Sequence, residues 1–134
     1  MHSFTLGPFT VADGAILQLR EPGACPALRF SWRGRDCAAE LNGTALRLAS
    51  CAARVPSSAE PGADRDRAFA ALARLPQGLP SGWRLQLLPD HRIRVEAEAQ
   101  LDSPPTAARL IATMVSFALA LDPHLDEMES LGLR

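Results

Sequence analysis

Apolar and polar residues alternate most regularly from Arg92 to Leu101. Ile93, Val95, Ala97 and Ala99 fall on one face, and Arg94, Glu96, Glu98 and Gln100 on the other. A period of two marks a half-buried strand. Trp83 to Leu88 alternates in the same way, and Pro89-Asp90-His91 supplies a turn, so the pair predicts a hairpin. Ala27 to Trp32 shows the period again, with Leu28, Phe30 and Trp32 on one side and Arg29, Ser31 and Arg33 on the other. Arg33-Gly34-Arg35-Asp36 reads as a turn, Cys37 to Leu41 as a shorter strand and Asn42-Gly43 as the next turn. Ala45 to Val55 reads as another strand with Leu46, Leu48 and Cys51 inward, although its alanines leave helix open.

The pattern before Ala27 is looser. Phe4 to Val11 reads as an edge strand kinked at Gly7-Pro8, Asp13-Gly14 as a turn, and Ala15 to Arg20 as the return strand, ended by Glu21-Pro22-Gly23. Residues 56–63, with two prolines, a glycine and two serines, form a loop inside one domain spanning residues 1–134. Beyond it the period changes. Asp64 caps a helix to about Leu75 with Ala68, Phe69, Leu72 and Leu75 as its stripe, stopped by Pro76, Gly78 and Pro80. Ser103-Pro104-Pro105 predicts the start of a longer helix to about Leu121. Ala107, Leu110, Ile111, Met114, Ala118 and Leu121 recur at helical spacing, and Val115, Phe117 and Leu119 widen the apolar surface. Such a helix needs cover on more than one side, from the sheet and its neighbours or from another subunit. Pro123 is read as ending it before a short acidic turn, Asp126 to Glu129. Strands, a middle helix, a hairpin and a long last helix predict an α+β fold, an antiparallel sheet with both helices on one face.

The composition fits one ordinary core: 134 residues, 47% hydrophobic and 22% charged. The net charge of −1 offers no basic field for nucleic acid. No apolar run approaches the roughly 20 residues of a membrane span. Met1-His2-Ser3-Phe4-Thr5 lacks a cationic segment followed by an apolar one, so no signal peptide is expected. The three cysteines, Cys25, Cys37 and Cys51, are odd in number and show no C-x-x-C spacing, which suits a reducing cytoplasm. All fourteen basic residues are arginine. They are dispersed and matched by acids, as GC-rich coding would give.

Catalytic chemistry is not visible. His2, His91 and His124 are far apart and at no metal-ligand spacing, so no metal and no cofactor is expected. None of the cysteines sits in a nucleophile signature. Glu96 and Glu98 are paired acids, but their alternation with apolar residues turns them to solvent. Glycine-rich phosphate loops are absent. The chain therefore reads as a non-enzymatic protein whose chemistry is its surface, with Trp32, Trp83, Phe69 and the helix over 104–121 as candidates for an exposed apolar patch. A second reading is a small apolar ligand held between sheet and long helix, in a pocket lined by Trp83, Met114 and Phe117.

From Ala27 onward the element order is similar to that of the class I chaperones of type III secretion and the related YbjN-like proteins. Those chains run three strands, a helix, a hairpin and a long C-terminal helix. The matching stretches are Asp64 to Leu75, Trp83-Arg84-Leu85-Gln86-Leu87, Ile93 to Glu98, and Leu110 to Leu121. The resemblance covers about two-thirds of the chain and lies in the order of elements, not in an identity motif. It implies a bacterial, cytoplasmic, dimer-forming protein that holds an extended segment of a protein partner such as a secreted effector. It also implies a dimer interface at Ala68, Phe69 and Leu72, and a peptide groove at Leu28, Phe30 and Trp32.

Overall fold

A computed structural model describes residues 4–7, 9–11, 17–19, 27–56 and 65–133. The expected turn at Asp13-Gly14, the break at Glu21-Pro22-Gly23, the loop over 57–63 and the cap at Asp64 lie outside the described residues, as do His2 and Cys25.

The fold is α+β. Its main sheet has five antiparallel strands in the order β4-β5-β6-β8-β7, formed by β4 (Ala27–Trp32), β5 (Arg35–Asn42), β6 (Ala45–Arg54), β7 (Arg84–Leu87) and β8 (Arg92–Gln100). A separate three-stranded sheet is made by β1 (Phe4–Leu6), β2 (Phe9–Val11) and β3 (Leu17–Leu19). The helices are α1 (Arg65–Arg74), continued by a 3-10 turn over Leu75–Gly78, and α2 (Ala107–Ser130).

Register sorts the side chains of the main sheet. Ala39, Leu48 and Ala97 lie abreast on the core side, as do Leu41, Leu46 and Ala99. The expected inward set of β8 is correct, with Ile93, Val95 and Ala97 all buried. One buried cluster joins these strands to Phe9, Val11 and Leu17 of the small sheet, Ala68 of α1, Leu75 of the 3-10 turn, and Leu110, Phe117, Leu121, Leu125 and Met128 of α2. Both helices thus serve the same side of the sheet.

Four expectations are corrected. Phe4 to Val11 is not one kinked strand but a hairpin, in which Leu6 pairs with Phe9 and the chain reverses between them. Gly7 has φ 54°, and a Cβ there would meet Leu28 Cδ1 at 2.5 Å, so glycine permits both the reversal and the close approach to β4. The turn after β4 is only Arg33-Gly34, at φ 51° and 77°, which lets β5 begin at Arg35. Both residues take the left-handed conformation that a two-residue hairpin loop favours.

On β6, alternation brings Ser50 inward opposite Val95, and Cys51 lies on the outer side opposite Arg94. A bulge between Cys51 and Ala53 then resets the phase, so that Ala53 meets Ile93 on the core side.

The long helix differs at both ends. Ser103 is not its cap; Thr106 is, its Oγ1 accepting from the Arg109 amide at 3.3 Å. Ser103 and Pro104 each precede a proline, which disfavours helical backbone at both, so the helix waits until Ala107. At the other end the helix runs through Pro123 to Ser130. An interior proline costs about 3 kcal/mol. Complete burial of Leu125, Met128 and Leu133 offsets that cost, at about 1.5–3 kcal/mol for each such side chain.

Arg35 pins the end of α2 to the sheet. Its Nε donates to the carbonyl of Ala52 in the bulge at 3.0 Å, its Nη1 to the carbonyl of Arg33 at 2.9 Å, and its Nη2 to Glu129 at 2.6 Å. One guanidinium thereby joins bulge, turn and helix. Leu121, fully buried in the middle of α2, should cost about 2–5 kcal/mol when replaced by alanine, read from urea unfolding midpoints. The substitution Arg35→Met keeps bulk but removes the donors, and should cost about 1–3 kcal/mol by the same measurement.

Candidate partner-binding surface

β4 is an edge strand of the main sheet, paired with β5 along one side. Leu28, Phe30 and Trp32 share its core side, as their alternation requires, and Ala27, Arg29 and Ser31 face out. The three apolar side chains pack against the core yet stay only half-buried; among the described residues β4 has no main-sheet strand on its outer side, and Gly7 of the small sheet comes up against Leu28. The result is an apolar shelf beside a strand edge. Backbone N–H and C=O groups at such an edge can pair with an extended chain, and the shelf can take alternate side chains from it.

One end of the shelf is fastened to α2. The Trp32 indole Nε1 donates to Asp122 Oδ1 at 2.7 Å. Arg33 Nη2 reaches Asp126 Oδ1 at 2.8 Å and Glu129 Oε1 at 3.3 Å, and its Nη1 lies 3.4 Å from Asp122. The hydrogen bond to Asp126 is the main cause that holds the Arg33 guanidinium charged above its usual range. The sequence reading missed this group. Asp122, Asp126 and Glu129 stand at i, i+4 and i+7, one row of a helix, but that row is visible only if the helix is carried through Pro123.

The other expected residues fall in different surroundings. On α1, Ala68 is 1% exposed and belongs to the core, Leu72 is half-buried, and Phe69 is 38% exposed. Trp83 and Phe117 pack ring against ring with centroids 5.1 Å apart, and the His124 ring lies tilted against Trp83 at 5.9 Å. Met114 packs half-buried against the same core. Phe117 and His124 of α2 thus both touch Trp83, the residue before β7.

The outer face of the sheet carries paired charge. Arg84 reaches Glu96 at 3.1 Å, Arg94 reaches Glu96 at 2.8 Å, and Arg47 lies 3.9 Å from Glu98. Glu96 and Glu98 are thus opposed by guanidinium groups. A shallow open depression of about 430 Å³ on this face is lined by Arg29, Asp36, Ala38, Glu40, Cys51, Arg92 and Arg94. Among the described residues no three His, Cys, Asp or Glu side chains cluster to hold a metal ion. No helix there is long and apolar enough to cross a membrane.

The two described cysteines differ. Cys37 is buried on the core side, its Sγ 3.3 Å from Ser50 Oγ, and burial pushes its thiol up from the ordinary 9.0. Cys51 is half-buried on the outer face, with Arg92 Nη1 4.0 Å from its Sγ. Because the folded chain holds the Cys37 proton more tightly than the unfolded chain, this contribution to stability is complete below pH 9.0 and declines as the pH rises past it. Iodoacetamide at neutral pH should modify Cys51 at least about tenfold faster than Cys37, read by mass mapping of the peptides. No protein-family model matches this chain, and no curated protein sequence does.

Proposed function

We propose that this chain is a non-enzymatic protein-binding module, chaperone-like in the manner of the class I chaperones of type III secretion and the YbjN-like proteins, that holds an extended segment of a protein partner along β4. In this reading it works in the bacterial cytoplasm as a homodimer. The observation that carries the reading is the edge position of β4 together with the half-buried row Leu28, Phe30 and Trp32. An unfolded segment supplies what that edge lacks, a strand to bond with and side chains to complete the apolar cover.

The purified protein is tested against an array of unstructured peptides rich in apolar residues at alternate positions. Phe30→Asp, checked for folding by circular dichroism, should weaken the selected peptides about tenfold to a hundredfold, the worth of one buried aromatic contact. Amide hydrogen exchange in β4 should slow when peptide is bound. Peptides held equally by both forms, or binding that leaves the β4 amides unchanged, would place the partner elsewhere and overturn the reading.

A further inference from the structure

α2 has a second apolar row beside its buried stripe, in line with Asp122, Asp126 and Glu129. Ile111, Val115 and Leu119 are 45%, 50% and 56% exposed, and their spacing of four residues aligns them along the helix surface. Exposed Ala108 and Ala112 extend the row with small side chains that let another backbone come close. From Leu110 to Leu121 the helix carries no charge at all.

The charges of α2 are sorted by end. Arg109 stands in the first turn, with Asp102 no nearer than 4.0 Å and both side chains well exposed. Asp122, Asp126, Glu127 and Glu129 stand in the last third. The first turn has no acid and the last turn no base, so neither helix terminus is answered by a charged side chain of its own. Arg33 and Arg35 meet part of the acidic end, two guanidiniums against four carboxylates.

We infer that this exposed row packs against the same row of a second copy, with the two α2 helices antiparallel about a two-fold axis near Val115. That arrangement sets Val115 against its own copy and Ile111 against Leu119. It brings the Arg109 end of each helix towards the acidic end of the other, and it opposes the helix dipoles. A parallel pair would crowd eight carboxylates together, so the charge order selects the antiparallel copy. The inference rests on the homodimer part of the proposed function and gives that dimer a surface; it is independent of peptide holding at β4. The row offers three large apolar side chains per copy, so the dimer is reversible, with a dissociation constant on the order of micromolar.

Sedimentation velocity over a concentration series tests it. The unaltered chain should move from monomer to dimer as concentration rises. Val115→Glu and Leu119→Glu, at exposed positions that leave the core intact, should weaken the dimer at least about tenfold. Arg109→Glu should weaken it severalfold, and Phe69→Glu should leave it unchanged. Val115→Cys should give an oxidised 115–115 cross-linked dimer in yield well above that of the unaltered chain. A dimer lost in Phe69→Glu but kept in the α2 variants would overturn this inference and leave the homodimer standing on α1. A monomer at every concentration would overturn both and leave the β4 reading untouched.

Discussion

The longest element covering the core side of the sheet is α2, and much of the fold follows from how it is held there. α2 lies against β6, the strand at the middle of the sheet. The buried positions of α2 repeat over the length of the helix, from Ala107 to Met128. Hydrophobic burial is non-directional and fixes neither angle nor register by itself. Directional contacts at the ends supply that. At the start, the carbonyl of Pro105 accepts from the Leu17 amide of the small sheet at 3.0 Å, and Leu101 is bonded to the Thr44 carbonyl at 2.8 Å. At the finish, Trp32, Arg33 and Arg35 hold the carboxylates. The bulge in β6 matters for the same reason: it turns an Ala52 carbonyl towards Arg35.

Much of this was legible in the residues. Alternation in β4, β7 and β8 gave strands, faces and the hairpin, because side-chain direction in a strand depends on parity alone. The Arg84–Glu96 cross-strand pair follows from the same register. The failures have physical causes. Pro123 carries a local penalty that only distant burial outweighs, and no window around residue 123 contains Leu46 or Val95. Ser50 is a polar residue in an inward position, so the reading chose Cys51; in the fold Ser50 sits beside the Cys37 sulfur. Gly7-Pro8 is compatible with a kink or a reversal, and the partner that decides is Leu28 on another sheet.

The surface was legible in a different measure. The apolar face of β4 could be read, but its position at the edge could not, since strand order depends on which strands pair. The ties from Trp32 and Arg33 to Asp122 span about ninety positions of chain and leave no local trace. The breadth of the apolar pattern on α2 was plain, and it correctly implied more apolar surface than one sheet can cover. Ala68, Phe69 and Leu72 look alike in sequence as members of a stripe, yet a single position, about 100° of helix, separates the buried Ala68 from the exposed Phe69.

The order of elements has a consequence for synthesis. All five strands of the main sheet precede α2 in the chain. At roughly 5–20 residues per second, the ribosome takes about one to five seconds to add the 24 residues of α2. Through that interval Leu46, Leu48, Ile93 and Val95 have strands beside them and only α1 and the small sheet for cover. The nascent chain therefore passes through a stage with a sticky, half-built core, and it is the arrival of its final helix that ends the exposure.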